Sequence, residues 1–302
     1  MPTIAVEGLQ KSYGAVRAVD GLSFTVEAGE VFALLGPNGA GKTTTVEILT
    51  GHRRRSGGGV DVLGFDPATG GRAYRERIGV VLQSAGFEEE FTVRELVRLQ
   101  SRLYPRVHQP DEVIELVGLT DKRNARVKTL SGGQRRRLDL ALGLVGAPDL
   151  LFLDEPTTGF DPSARHHAWD LVERLRDTGT TILLTTHYMD EAQRLADRAA
   201  VICGGRLVAL GPPDDLGAGS RVHTITFRLP RELSPVDLPA LGGDLHADDG
   251  SVAIRTEAPV RDIHTLSGWA LDRGITLPGL TLTRPSLEEV YLELTGESEH
   301  DN

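Results

Sequence analysis

Three short stretches of this chain carry side chains suited to phosphate chemistry. The first, Gly36-Pro37-Asn38-Gly39-Ala40-Gly41-Lys42-Thr43, matches G-x-x-x-x-G-K-[ST]. It lies between the apolar run Val31-Phe32-Ala33-Leu34-Leu35 and a segment that reads as helix. Glycines let such a loop wrap closely around a phosphate, with successive N–H groups and the helix N-terminus directed at negative charge. Lys42, one of only four lysines beside 29 arginines, would reach β- and γ-phosphates, and the Thr43 hydroxyl would face Mg²⁺. The second stretch, Leu150-Leu151-Phe152-Leu153-Asp154-Glu155, reads as a buried parallel strand ending in two acids. Open α/β sheets bind ligands at that edge. Asp154 would hold the Mg²⁺ shell, and Glu155 would orient and deprotonate the attacking water. Each stretch has a plainer local reading, a glycine-rich turn for the first and solvated acids before Pro156 for the second; the loop alone already points to a nucleotide, and its presence is what turns the two acids into a site.

The third stretch, Leu130-Ser131-Gly132-Gly133-Gln134, sits between those halves. Ser131 suits a helix N-cap, and Leu138, Ala141, Leu142 and Val145 form an apolar stripe behind it, so the positive end of that helix would face an anion. A simple loop and cap would explain the serine but not the whole pentapeptide.

Taken in order, GPNGAGKTT, LSGGQ, LLFLDEP, TTGFDP and the histidine of TILLTTH resemble the ATP-binding cassette (ABC) ATPases over roughly residues 1 to 215. The resemblance implies that ATP phosphates lie against Gly36, Pro37, Asn38, Gly39, Ala40, Gly41, Lys42, Thr43 and Thr44. It also implies that two cassettes stack head to tail, so that Ser131, Gly132, Gly133 and Gln134 of one complete the nucleotide site of the other, with Ser131 and Gly133 at the γ-phosphate. Tyr13 in KSYG would stack on adenine, Gln83 would touch Mg²⁺ and relay its state to a membrane partner, Asp161 would cross the dimer interface, and His187 would sense the γ-phosphate. Lys42, Glu155 and His187 are then the catalytic set, and Thr43, Gln83 and Asp154 the metal set. Locally, Tyr13 is equally a half-exposed tyrosine near a strand, and Gln83 and His187 are unremarkable strand-terminal residues. Asp161-Pro162 is also a sound N-cap with proline at the first helical position. Phe160 departs from the family's usual leucine, a volume change in a contact loop.

The elements that must position these residues follow from pattern. Residues 3 to 35 are strand-rich, with alternation at Phe24 and Val26 that suits a small antiparallel sheet. Residues near 90 to 145 are mostly helical, opened by a capping box at Thr92-Val93-Arg94-Glu95 with Leu96, Leu99 and Leu103 continuing its apolar face. From 149 to 210, strands and helices alternate as in a parallel sheet. Cys203, the sole cysteine, reads as a small buried strand residue. The fold expected is α/β: a cassette with a mostly parallel sheet core, an antiparallel β subdomain and a helical subdomain, occupying 1–217. Gly211-Pro212-Pro213 and Gly217-Ala218-Gly219-Ser220 mark a boundary, beyond which 218–302 would form a small α+β accessory domain. Its strands are expected at Val222 to Leu229 and Ser251 to Arg255, with helices at Leu266 to Leu271 and from the capping box Ser286-Leu287-Glu288-Glu289. ESEHDN would be a frayed acidic tail.

Composition sets limits on partners. A net charge of −10 argues against nucleic acid, which is recognised through concentrated positive charge, and the triplets Arg53–Arg55 and Arg135–Arg137 read as solvated faces or phosphate-adjacent charge. No apolar run reaches the length of about 18 residues needed to span a bilayer, and MPTIAVEGLQKSYG lacks the basic start and apolar stretch of a signal peptide. The expectation is a cytoplasmic protein, which the family resemblance would place peripherally on the inner membrane face through a permease.

The segments TTHYMDEAQRLADR and PSLEEVYLELTGE sharpen the resemblance to the ATPase subunits of daunorubicin-resistance-type exporters, which work with a separate permease. That resemblance implies an ATP-driven homodimer moving a drug-like, antibiotic, polysaccharide or lipid cargo. A cytosolic cassette ATPase acting on a ribosome or DNA would usually carry two cassettes or a long coiled-coil insertion, and this chain has neither. A module that binds nucleotide without hydrolysing it fits poorly with Glu155, Gln83 and His187.

Overall fold

The computed structural model describes residues 2–82, 86, 88–216, 223–230, 233–248 and 250–283. Gln83, the 217–220 linker, the capping box at Ser286 and the acidic tail lie outside the described residues. The chain divides into two compact units, Met1–Pro213 and Asp214–Asn302.

The first unit opens with β1 (Ile4–Tyr13), β2 (Val16–Val26) and β3 (Val31–Leu35), then α1 (Lys42–Leu49), β4 (Gly57–Val62), α2 (Gly71–Arg75) and β5 (Ile78–Val81). Helices α3 (Val93–Ser101), α4 (Pro110–Leu116) and α5 (Gly132–Leu144) follow. After them β6 (Leu150–Asp154), α6 (Pro162–Asp177), β7 (Thr181–Thr186), α7 (Met189–Leu195), β8 (Arg198–Cys203) and β9 (Arg206–Gly211) alternate. A six-stranded sheet runs β5-β6-β7-β3-β8-β9, parallel except for β9. Every residue of β3, β6 and β7 is buried, as expected of strands covered on both faces. The antiparallel sheet β2-β1-β4 packs against it through a stacked Phe24–Phe32 pair with ring centroids 5.2 Å apart.

Strand β4, which opens on a glycine triplet, was not expected. Gly58 explains it: its φ is 84°, and a Cβ there would run into the backbone of Gly8 and Leu9 where β1 carries a bulge. The glycines let two strands approach where side chains would hold them apart.

Local signals in the helical segment are realised. Thr92 and Glu95 form the reciprocal capping box of α3. The buried stripe of α3, however, is Val93 and Val97 rather than the leucines, for Leu99 and Leu103 are 47% and 61% exposed. Cys203 ends β8 half-buried rather than buried.

The second unit begins in the short helix α8 (Pro213–Leu216) and contains β10 (His223–Arg228), β11 (Asp244–Asp248), β12 (Ser251–Thr256), α9 (Pro259–Asp272) and β13 (Thr281–Thr283). Its antiparallel sheet runs β11-β12-β10-β13, and alternate residues Ile225, Phe227, Val252 and Ile254 pack with Leu266 and Trp269 of α9. Strands at 223–228 and 251–256 and the helix were expected; β11 and β13, whose residues are all exposed, were not. Among the described residues no helix is long and apolar enough to cross a membrane.

Candidate functional site

The loop Gly36–Gly41 joins β3 to α1. Gly41 is the N-cap of α1 with φ 103°, and a Cβ there would strike the carbonyl of Ala18 on β2. No side chain of the described residues caps this N-terminus and no acid sits in its first turn, so its N–H groups and positive end are available to an anion. Lys42 is only 4% exposed and donates from Nζ to Gly36 O at 2.7 Å and Pro37 O at 3.1 Å. Burial lowers its ammonium pKa, against the pull of Glu155 and Asp154.

Strand β6 ends beside it. Asp154 is buried, accepts the Thr185 hydroxyl at 2.5 Å and interacts with the Thr43 hydroxyl. Burial raises its carboxyl pKa, with neighbouring Glu155 adding to the rise and the Thr185 and Thr43 hydroxyls and Lys42 opposing it. Thr43 and Asp154 therefore pair two hard oxygen donors, a set that suits magnesium shared with phosphate oxygens and water. Among the described residues no group of three or more His, Cys, Asp or Glu could hold a metal ion.

Glu155 occupies a left-handed backbone position, φ 48°, which costs a non-glycine residue about 1–3 kcal/mol and persists only where its surroundings impose it. Its N–H donates to Thr185 O at 3.1 Å and Thr185 Oγ1 at 3.0 Å. The same carboxylate oxygen, Oε1, lies 3.5 Å from Lys42 Nζ and 3.5 Å from His187 Nδ1, while Oε2 accepts the Thr158 hydroxyl at 3.1 Å. His187 follows β7, and its ring lies on that of Tyr188 with centroids 4.1 Å apart. Residues from three separate strand ends thus converge at the C-terminal edge of the parallel sheet.

Other expected residues sit apart from this cluster. Ser131 caps α5 with a reciprocal Gln134 contact, its Oγ accepting Gln134 N at 3.3 Å and its N–H donating to Gln134 Oε1 at 3.0 Å. Ser131 and Gly132 are exposed and Gly133 and Gln134 half-buried. Asp161 caps α6, accepting Ala164 N at 2.9 Å, and is exposed. Tyr13 is 42% exposed at the end of β1, its ring faced by Lys11 Nζ at 5.0 Å and the Arg53 guanidinium at 5.3 Å.

Two residues given no site role in the sequence reading stand out. Arg136, read there within a solvated basic triplet, is only 9% exposed. It shares the inward face of α5 with Leu140 and Gly143, a helical spacing that could have revealed it. Glu191 is wholly buried and accepts Thr157 Oγ1 at 2.9 Å and Trp169 Nε1 at 3.0 Å. The other basic triplet is also partnered: Arg53 pairs with Glu47, and Arg55 holds Asp66 at 2.7 Å, keeping that carboxyl at about 2.

A cavity of about 780 Å³ opens among Gly29, Arg77, His108, Asp149 and Thr181. It lies at the N-terminal ends of the parallel strands and holds none of the motif residues, so geometry favours the strand-end cluster despite the cavity's size.

Residues 19–158 match the family described as ABC transporter, and residues 223–286 match the ABC transporter domain-containing protein-like C-terminal domain. The chain is 41% identical over 314 residues to the daunorubicin/doxorubicin resistance ATP-binding protein DrrA of Streptomyces peucetius, covering 99% of this chain and 95% of that protein. It is 41% identical to the Nod factor export ATP-binding protein I of Rhizobium meliloti (strain 1021), covering 99% and 90%. Among solved structures, an ATP-binding subunit of an ABC transporter is 28% identical with a TM-score of 0.65, over 72% of this chain and 92% of that one. The ADP conformation of the ATP-binding cassette MJ1267 is 25% identical with a TM-score of 0.63, over 70% and 91%.

Proposed function

The chain belongs to the ATP-binding cassette ATPases of transporters, and on that premise we propose that it is the ATP-hydrolysing subunit of a two-component exporter, driving a separate membrane permease. The observation that carries the reading is the convergence of Lys42 and His187 on one oxygen of Glu155, each at 3.5 Å. Residues 1–217 act as the cassette and 218–302 as an accessory domain.

In the proposed reaction the loop 36–44 and the α1 N-terminus cradle the ATP phosphates, and Tyr13 stacks on adenine. Lys42 donates to β- and γ-phosphate oxygens. Thr43 and Asp154, with Gln83 carried over from the family pattern, would hold Mg²⁺, which would supply positive charge against the phosphates. Glu155 accepts a proton from the attacking water, and His187 donates to the γ-phosphate. Glu155 faces two cationic or donor groups at one oxygen and a hydroxyl at the other, so its carboxylate is oriented before substrate arrives. Ser131 to Gln134 of a second copy close over the same nucleotide, with Asp161 crossing the interface. The exposed position of Ser131 and Asp161 supports that role, since both are presented outward while capping helices.

The permease reading draws on exposed apolar residues in and around α3. Phe91, Leu99, Leu103 and Val107 leave 37%, 47%, 61% and 43% of their surfaces in water. A run of apolar side chains at that exposure suits a contact surface. Docking there would hold the protein at the inner membrane face. The cargo proposed is drug-like, antibiotic, polysaccharide or lipid, a reading supported by relatives named for daunorubicin resistance and Nod factor export.

Glu155→Gln tests the reading. Steady-state phosphate release should fall by roughly 10²- to 10⁴-fold, the range for a general base, while MgATP binding persists and the protein becomes dimeric by light scattering. Turnover within twofold of the parent would refute it. Recovery of the tagged chain with a ribosome and not with a polytopic membrane protein would favour the cytosolic alternative.

A further inference from the structure

Arg136 is the feature that the reaction described above leaves unused. From α5 its guanidinium reaches four carbonyl oxygens: Nη2 donates to Asp154 O at 2.9 Å and Glu155 O at 3.1 Å, Nε to Pro156 O at 3.2 Å, and Nη1 to Leu82 O. These carbonyls lie at and just beyond the ends of β5 and β6, where the ladder stops and buried oxygens need other donors. An arginine fork spreads its donors in a plane and can bridge them at once; a lysine ammonium on a single stem cannot.

The pattern bears on Glu155 in particular. Its left-handed φ of 48° is a conformation an L-residue adopts only when held there. Thr185 grips its N–H and Arg136 its C=O, so the peptide groups on both sides of Glu155 are fixed by side chains from β7 and α5. The direction of the Glu155 carboxylate depends on that peptide. Arg136 also sits five residues beyond Ser131 on the same helix, a span of about 7.5 Å at 1.5 Å per residue. The helix end carrying the Ser131 cap is thereby tied to the Glu155 backbone through one rigid turn and a half.

We propose that Arg136 is a positioning residue for ATP hydrolysis, locking the left-handed Glu155 peptide and coupling its placement to the Ser131–Gln134 turn. The inference rests on the reading of Glu155 as the group that activates water. A purely structural arginine, serving Asp139 at 3.9 Å and the packing of α5, would be needed for folding but not for the direction of one carboxylate.

The test uses the full chain in four forms: parent, Arg136→Lys, Glu155→Gln and the double variant, with Arg136→Gln as a second replacement that keeps amide donors. Each is checked for its melting transition by circular dichroism and for MgATP affinity by calorimetric titration, then assayed for phosphate release. In the folded variants, Arg136→Lys should lower kcat by about 10- to 100-fold with MgATP affinity within threefold of the parent. In the Glu155→Gln background the same replacement should change the residual rate less than twofold, because the group it aims is gone. Parent-like kcat in folded Arg136→Lys and Arg136→Gln overturns the proposal. So does an equal loss in both backgrounds, which would place the effect elsewhere than Glu155. Parent-like turnover of Glu155→Gln alone overturns the reading beneath it, whereas slow Glu155→Gln with normal Arg136→Lys overturns only the positioning role.

Discussion

Thr185→Val removes one hydroxyl from the centre of the site and leaves its shape. Thr185 is wholly buried on β7, between Leu34 on one side and Asp154 on the other in the parallel register. Its Oγ1 donates to Asp154 Oδ1 at 2.5 Å and accepts the Glu155 N–H at 3.0 Å. That N–H keeps its second acceptor, Thr185 O at 3.1 Å, so the left-handed turn should survive. Asp154 instead loses a donor to a buried carboxylate, worth about 1.5–3 kcal/mol. Burial already raises the pKa of Asp154, and withdrawing a donor to the charged form raises it further. An acid whose folded pKa exceeds its unfolded value reduces stability above the unfolded pKa, and that penalty fades as pH falls through the folded value. The variant should therefore be less stable than the parent by about 1.5–3 kcal/mol at pH 8, with a smaller gap in mild acid. In phosphate-release assays the acid limb of the pH–rate profile should move upward by about one to two pH units, the same energy at 1.36 kcal/mol per unit. The magnesium concentration for half-maximal rate should rise, with partial recovery at high pH. An unmoved acid limb and magnesium requirement in a folded Thr185→Val protein would refute the assignment of Asp154 as the metal-holding carboxylate.

Two further outcomes follow from the same cluster. Lys42→Ala should weaken MgATP binding by about 10- to 150-fold, the equivalent of a charge-assisted hydrogen bond of 1.5–3 kcal/mol; calorimetric titration showing less than threefold change would contradict the loop assignment. Asp139, pushed by burial to about 6 with Arg136 opposing, should make the parent lose stability as pH rises from 3.8 towards 6, by up to about 3 kcal/mol. Asp139→Asn should flatten that part of the pH–stability curve in urea titrations, and an unchanged slope would count against a buried, charged Asp139.

Helix caps were legible because they are local: Thr92 with Glu95, Ser131 with Gln134 and Asp161 with Ala164 each place donor and acceptor within four residues. The buried strands were legible as unbroken apolar runs, and the phosphate loop by spacing. What resisted reading depends on neighbours distant in sequence. Gly57 to Gly59 form a strand because β1 bulges opposite them. Around helix α3 the apolar residues allow more than one inward face, and periodicity alone does not tell that Val93 and Val97 turn inward while Leu99, and Leu103 just past the helix end, stay in water. A buried arginine is intelligible only once the carbonyls of Leu82, Asp154, Glu155 and Pro156 are gathered beneath it.

The two acids that close β6 show how one short segment supplies two different groups. Side chains alternate across a strand, so an extended Asp154-Glu155 pair would send its carboxylates to opposite faces. The left-handed turn at Glu155 breaks that alternation, and Lys42 interacts with both carboxylates. Asp154 remains inside, held by hydroxyls, while Glu155 is aimed between an ammonium and an imidazole. Adjacent carboxylates in unlike surroundings can take unlike roles. Here the divergence comes from a single backbone angle, so the proposed division of labour is only as secure as the contacts from Thr185 and Arg136 at that peptide.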